Sequence, residues 1–150
     1  MGGGPPVKVI SFTAMAIRVV QLGTPRVADE GVRLGTVRRP PRGVKKTDFA
    51  RLDYYDVWVP ELAPSEPLRK WILSKPVTRA RWATFARRYR REMRAPAARR
   101  LIAVLAALSP HTQFSVGCYC DDESVCHRSI LRELFEEAGA VTTVIPVTAL

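Results

Sequence analysis

Short runs of β-branched and aromatic residues alternate along the chain with stretches of helical periodicity. The short runs predict strands, because such side chains suit a pleated, half-buried surface and turn residues follow the runs. Gly23-Thr24-Pro25 closes the first run and Pro60 closes the third. The predicted strands are 16–22, 31–37 (the weakest), 54–59, 113–120 and 141–147.

Four helices are predicted among and after these strands. Ser65 and Thr78 can cap the first two with their hydroxyl groups. Pro96 suits the first turn of the third helix, whose run 101–108 is apolar on nearly every side, so we expect it to be deeply packed. Gly139 is the stop signal of the fourth. The second helix has an apolar stripe at Trp82, Phe85, Tyr89 and Met93.

This succession of strands and helices predicts the fold class. It is typical of a single-domain α/β protein with a mostly parallel sheet and helices on its faces, a Rossmann-like three-layer arrangement. Residues 1–15, which begin with a Gly/Pro stretch, are expected to be a flexible leader, and residues 16–150 the one domain. The longest apolar run, 101–108, is shorter than the roughly 20 residues of a bilayer span, so no membrane association is predicted.

Charge and cysteine content narrow the function. The chain has 24 Lys+Arg against 14 Asp+Glu, a net charge of +10, which favours an anionic partner. All three cysteines lie within residues 118–126, too close together to staple a secreted domain. We therefore expect reduced thiols and a cytoplasmic protein.

The segment 118–128, CYCDDESVCHR, joins the end of a predicted strand to the start of a predicted helix, where parallel sheets bind ligands. Cys126, His127 and Arg128 are the candidate catalytic residues. The helix dipole and a neighbouring guanidinium lower a thiol pKa, so Cys126 is predicted to be a reactive thiolate. His127 could transfer protons near neutral pH, and Arg128 could clamp a phosphate or carboxylate.

Three other interpretations of this segment compete with the catalytic one. In the first, His127 and Arg128 only tie down the end of the helix. Cys118 and Cys120 point to the same face of the predicted strand. They are either ligand contacts or small residues that fill the core. Three sulfurs and an imidazole make a sensible zinc set, but the adjacent Cys126 and His127 diverge by about 100° on a helix, so no metal site is predicted. A phosphatase-type cradle is rejected, because the acidic residues 121–123 would repel a phosphate.

A second candidate site is the arginine-rich loop 38–43, RRPPRG. Its prolines stiffen the backbone, so its arginines lose less entropy when they grip an anion. Nearby strand aromatics could supply stacking surface, whereas the arginines of 79–94 are interpreted as a solvated helix face. The basic cluster comprises Arg33, Arg38, Arg39, Arg42, Lys45 and Lys46. The predicted ligand-binding residues are Arg38, Arg39, Arg42, Gly43, Trp58, Cys118 and Cys120.

Four blocks, VRRPPRGVKK, DVWVPELAPSEPLRKW, WATFARRYRREM and CYCDDESVCHRSILRELF, resemble the DUF488 family, and more narrowly its branch with a C-terminal Cys-His-Arg. The resemblance extends from Ala16 to Glu137 and implies a small cytoplasmic α/β protein without implying an activity. Pro40 stands where the family usually has Trp, which implies a different pocket if that aromatic shapes one. The matched motif positions are Arg39, Pro41, Arg42, Gly43, Asp56, Trp58, Leu62, Pro64, Ser65, Cys126, His127 and Arg128.

Three functions remain open from the sequence. The first is binding of a small anion, such as a nucleotide or another phosphate or carboxylate metabolite, between loop 38–43 and the helix start 126–128, with thiol chemistry as an option. The second is non-sequence-specific nucleic-acid binding. The third is thiol redox or metal sensing by the cysteines. Whether the protein is an enzyme, which cofactor it uses and whether subunits associate all stay open. The first function requires both segments to meet at one sheet edge.

Overall fold

A computed structural model describes residues 16–144 and contains one five-stranded, all-parallel sheet. The predicted α/β class is confirmed. The predicted leader and residues 145–147 of the last predicted strand lie outside the described residues. The strands are β1 (Ile17–Gln21), β2 (Val32–Gly35), β3 (Val57–Trp58), β4 (Phe114–Cys118) and β5 (Thr142–Val144). The helices are α1 (Glu66–Leu73), α2 (Arg79–Glu92), α3 (Pro96–Leu108) and α4 (His127–Glu137).

The strand order is β3-β2-β4-β1-β5, so the chain crosses the sheet in both directions. The connections from β1 to β2 and from β2 to β3 run toward the β3 edge of the sheet. The connections from β3 to β4 and from β4 to β5 run toward the β5 edge. Because parallel crossovers are right-handed, the two sets cover opposite faces of the sheet. The helices cover one face and the loop-rich segment 22–56 covers the other, which makes three layers with a core on each side of the sheet.

The third strand is shorter than the prediction 54–59. Tyr55 leaves the strand and packs across Gly35, where an added Cβ would lie 2.3 Å from its ring. The following backbone is then held by Asp56, whose N–H donates to the Arg33 carbonyl at 2.8 Å. Only Val57 and Trp58 pair with β2.

The predicted helix caps are confirmed. The Ser65 hydroxyl accepts from the Leu68 N–H at 3.3 Å, and the Thr78 hydroxyl accepts from the Arg81 N–H at 3.1 Å. The stripe predicted for α2 faces the core, and the Tyr89 hydroxyl donates to a backbone carbonyl at 2.7 Å.

The prediction that 101–108 is deeply packed is wrong. Ile102 and Ala106 are buried, but Val104 is 53 % exposed and Leu108 is 47 % exposed. The reason is that the helices form a single layer, so the face of α3 that carries Val104 and Leu108 meets solvent. Within residues 16–144, no helix combines the length and apolarity that crossing a bilayer requires.

Arg33 does not belong to the exposed basic cluster predicted for it. Its side chain is fully buried and pairs with Glu30, with an Nε–Oε2 distance of 2.6 Å. Ser115, at the start of β4, donates to the same carboxylate at 2.6 Å. This buried pair closes the amino-terminal end of the sheet, away from the predicted site.

Candidate functional site

The connection that follows β4 differs from those of its two neighbours. The chain leaves β4 toward the helical face, whereas it leaves β1 and β2 toward the loop-rich face. Adjacent parallel strands whose connections part in this way open a crevice at their carboxyl ends. The crevice lies at Cys118, the last residue of β4, and the segment 118–128 borders it.

Three sulfur atoms converge at this edge. Cys118 ends β4, Cys120 follows in the loop, and Cys126 is the N-cap residue of α4. The Sγ atoms of Cys118 and Cys120 are 3.8 Å apart, and all three Sγ atoms lie within 4.8 Å of one another. All three thiols are free; Cys118 and Cys126 are buried and Cys120 is exposed. We call these residues the cysteine cluster.

Of the three thiols in the cysteine cluster, Cys118 is the one whose pKa is lowered. Hydrogen bonds from the thiols of Cys120 and Cys126, and then the positive charge of Arg128, hold the pKa of Cys118 well below its usual range. The same hydrogen bond to Cys118, together with burial, raises the pKa of Cys126. These directions favour Cys118 over the predicted Cys126 as the thiolate, because the three sulfurs interact with one another.

His127 is buried and neutral. Its Nε2 lies 2.7 Å from the carbonyl oxygen of Thr36, which can only accept, so Nε2 carries the proton. Its Nδ1 is then an acceptor and lies 3.9 Å from the Cys126 Sγ. Burial lowers the pKa of His127 to about 4, although the bond to Thr36 opposes the shift. The geometry ties the helix start to the end of β2.

Arg128 is an almost completely buried cation, 4 % exposed. One terminal nitrogen donates to the carbonyl of Cys120 at 2.5 Å. Its Nε is buried without a hydrogen-bond partner among the described residues. A buried N–H that lacks a partner costs free energy unless a ligand or water supplies the acceptor.

A hollow of about 260 Å³ lies beside this segment, and we call it the basic hollow. Glu66 pairs with Arg39 at 2.8 Å and with Arg69 at 3.4 Å. Arg42 has no ion-pair partner within residues 16–144. Two guanidinium groups thus share one carboxylate and a third has none, which leaves a local positive charge. The lining residues are Arg39, Pro40, Pro41, Arg42, Tyr54, Arg69 and Tyr119.

Tyr119 joins the basic hollow to the cysteine cluster. It stands between Cys118 and Cys120 in the chain, lines the hollow and donates its hydroxyl to the Arg39 carbonyl at 2.9 Å. The structure therefore brings loop 38–43 and the segment after β4 to one edge of the sheet.

Several residues predicted to bind a ligand lie outside the basic hollow. Arg38 donates to the carbonyls of Pro64 and Ala63 at 3.1 and 3.2 Å, so its guanidinium holds the start of α1. Gly43, with φ +73°, shapes an exposed turn. Trp58 donates to the Val37 carbonyl at 2.7 Å and lines a separate hollow of about 460 Å³, which shares Pro40 with the basic hollow.

Three residues that line the basic hollow are not among the ligand contacts predicted from the sequence. Tyr119 had a usable signal, since it lies between two cysteines that were singled out. Tyr54 is one of the strand aromatics that the sequence offers as stacking surface rather than as a ligand contact. Arg69 carried no signal, because it lies on α1 and reaches the hollow only through the packing of that helix beside loop 38–43.

Comparison with protein families adds one finding. A family model described as the active DUF488-N3 subclade (DUF488-N3a) matches residues 17–139, which include loop 38–43 and the whole segment 118–128. The match says nothing of a branch defined by Cys-His-Arg. Comparisons with curated proteins and with solved structures find no match. Because the family model covers most of the chain, this protein belongs to the DUF488 family.

Proposed function

We propose that the protein binds a small anionic ligand, carrying a phosphate or carboxylate group, in the basic hollow and performs thiol chemistry on it with the cysteine cluster. The observation that carries the proposal is the adjacency of the two sites through Tyr119. We place the activity in the cytoplasm, where thiols stay reduced.

The anion would be recognised by Arg42 and by the shared charge of Arg39 and Arg69. Planar guanidinium groups bind phosphate and carboxylate through paired hydrogen bonds. Pro40 and Pro41 restrict the backbone between Arg39 and Arg42, so less conformational entropy is lost when a ligand orders these side chains.

The reactive group would be the Cys118 thiolate. Attack by a thiolate forms a sulfur bond to an electrophilic atom of the ligand, and the leaving group departs with the bonding pair. Cys126 stays protonated, because its pKa is raised, and its thiol can supply the proton that the leaving group needs. Attack on the intermediate by water or a second thiol would then regenerate Cys118.

Two alkylating reagents of different charge test the coupling of the sites. Iodoacetate is anionic and iodoacetamide is neutral, and both form the same bond to sulfur. We expect the wild type to react faster with iodoacetate, relative to iodoacetamide, than the variant Arg42→Ala, because the basic hollow concentrates the anion. Arg87→Ala removes an equal charge from an exposed position on α2 and should leave the ratio unchanged. Equal ratios in all three proteins would end the proposal.

Ligand binding itself is measured by thermal shift with inorganic phosphate, a nucleoside monophosphate and a dicarboxylate. At least one should stabilise the wild type and Arg87→Ala but not Arg42→Ala. If none stabilises the wild type more than Arg42→Ala, the basic hollow is not an anion site.

A second candidate function is nucleic-acid binding, favoured by a band of exposed arginines along α2 and the start of α3. Within residues 16–144 these side chains have no acidic partner. Such binding should weaken steeply with salt, because counterions are released. Fluorescence anisotropy with duplex and single-stranded oligonucleotides at about 50 mM salt tests this binding. The double variant Arg91→Ala/Arg94→Ala removes charge from the arginine band and is compared with Arg42→Ala, which removes charge from the basic hollow. The exposed residues are Arg79, Arg87, Arg91, Arg94, Arg99 and Arg100.

A further inference from the structure

The cysteine cluster has the dimensions of a metal site. Zinc–sulfur bonds of about 2.3 Å at tetrahedral angles place neighbouring sulfurs about 3.8 Å apart. The Sγ atoms of Cys118 and Cys120 are 3.8 Å apart, and Cys126 keeps its Sγ within 4.8 Å of both. A movement of the Cys126 Sγ by about one ångström would bring all three sulfurs to this spacing.

The fourth position would be open to solvent. Cys118 and Cys126 are buried and approach from the protein side, whereas Cys120 is exposed. His127 is not a ligand here, because its Nε2–H is bound to Thr36 and its ring is not part of the convergent group. Three protein ligands with one open position is the pattern of reactive zinc sites rather than of closed structural ones.

The surrounding charges favour a cation with three thiolates. Three thiolates and one divalent ion carry one negative charge in total, and the buried guanidinium of Arg128 neutralises it. The exposed Asp121 and Asp122 follow Cys120 at the solvent side. In a chain of net charge +10, these two carboxylates lower the local positive charge next to Cys120.

We propose that the sulfurs of Cys118, Cys120 and Cys126 bind one thiophilic d10 metal ion, with Zn²⁺ as the probe, and leave one coordination position to solvent or ligand. Binding releases the remaining thiol protons to the buffer and changes no oxidation state. The inference does not depend on the proposed anion binding. The bound ion and an alkylating reagent compete for the same sulfur lone pairs. Bound Zn²⁺ should therefore block alkylation, and alkylation should block Zn²⁺ binding.

The test uses the full chain, reduced and freed of metal with a chelator, and titrated with Zn²⁺ against a chromophoric chelator. We expect one ion per chain. Loss of a group that only hydrogen-bonds to a metal ligand weakens metal binding about 10–100-fold. Cys120→Ser removes a ligand itself, so it should raise the Kd for Zn²⁺ by at least about 100-fold. Cys120 is exposed, so this variant should keep the fold. His111→Ala, which removes the other exposed soft ligand, should change nothing.

Cd²⁺ on the wild type supplies a readout that needs no variant, since sulfur-to-cadmium charge-transfer absorption grows with the number of bound thiolates. Absorption matching three thiolates supports the site. Weak absorption, absence of a one-to-one complex, or equal Zn²⁺ affinity in Cys120→Ser would each overturn it. Anion binding measured in excess chelator separates this result from the proposed function, because the chelator removes the metal and leaves the basic hollow.

Discussion

Strand β4 carries a buried ionic group at each end, and the two groups are built differently. Near its start, Ser115 joins the Glu30–Arg33 pair; at its end, Cys118 joins the Cys120–Cys126–Arg128 group.

Every nitrogen of the Arg33 guanidinium has a partner: Glu30 at 2.6 and 2.9 Å, and the carbonyls of Thr24 and Asp53 at 2.8 and 2.7 Å. The Nε of Arg128 has none among the described residues. A fully satisfied buried charge holds a fold together, whereas an unsatisfied one beside free thiols leaves room for a ligand. The contrast separates the structural end of the sheet from its candidate functional end.

The largest effect is expected for Glu30→Ala. It leaves the Arg33 charge buried without its counter-ion, which typically costs about 3–5 kcal/mol. Urea denaturation of wild type and variant measures the loss. A cost near zero would mean that the pair is not the structural anchor of the sheet.

Acid should weaken the two ends in different pH ranges. The folded-state pKa of His127 is about 4, below the unfolded value of about 6.5, so the unfolded chain binds the proton first as the pH falls. Stability should therefore decline between these values, by an amount on the order of 3 kcal/mol. His127→Gln keeps an N–H for the Thr36 carbonyl and should abolish this decline. Denaturation curves at a series of pH values, in the presence of reductant and chelator, measure this decline. If stability depends on pH in the same way in the wild type and in His127→Gln, His127 is not a buried neutral histidine.

Glu30 belongs to a lower pH range. Burial alone would raise its pKa, but hydrogen bonds from Arg33 and Ser115 outweigh that effect and lower it. Its contribution is complete above the unfolded-state pKa of about 4.3 and is lost only as the pH falls through the lower folded value. In His127→Gln the remaining acid transition should lie in this range.

A smaller loss of stability is expected for Arg128→Met, about 1 kcal/mol, because one hydrogen bond is lost while an unsatisfied buried N–H is removed. Its main effect should be chemical. Without the nearby charge, which is the smallest of the effects that lower it, the pKa of Cys118 rises slightly, and iodoacetamide alkylation at pH 7 should slow about twofold. Arg132→Met, on the same helix, is the control. Unchanged alkylation in Arg128→Met would show that the cation does not activate the cluster.

The smallest effect on stability is expected for Arg39→Ala, because its ion pair with Glu66 is exposed and such pairs contribute little. Thermal unfolding should be unchanged within error, while the stabilisation by bound anion should fall. If Arg39→Ala loses stability but keeps anion binding, Arg39 is a structural residue and not part of an anion site.

Much of the fold could be predicted because it depends on local patterns. The helix caps at Ser65 and Thr78 and the parallel α/β class follow from side-chain periodicity and capping chemistry. The prediction for 101–108 failed because the number of neighbours around a helix is a tertiary property. Composition cannot show that α3 is covered on one side only.

The candidate site was predictable in place but not in detail. Strand-to-helix spacing located the candidate segment 118–128, yet which thiol has the lowered pKa depends on the distances between Cys118, Cys120 and Cys126. Likewise, the sequence counts Arg33 and Arg42 as equal basic residues. Only the fold buries one against Glu30 and leaves the other at the basic hollow.

The order of residues alone was enough to indicate the strands, the helices and the strand-to-helix junction that forms the candidate site, since these follow from interactions between near neighbours in the chain. Tertiary structure decided the rest: which cysteine has a lowered pKa, which arginine is structural, and that Tyr119 links the arginine loop to the segment that carries the sulfurs. Those outcomes depend on burial and on distances between groups far apart in sequence, and electrostatic free energies change with both far more than with residue identity.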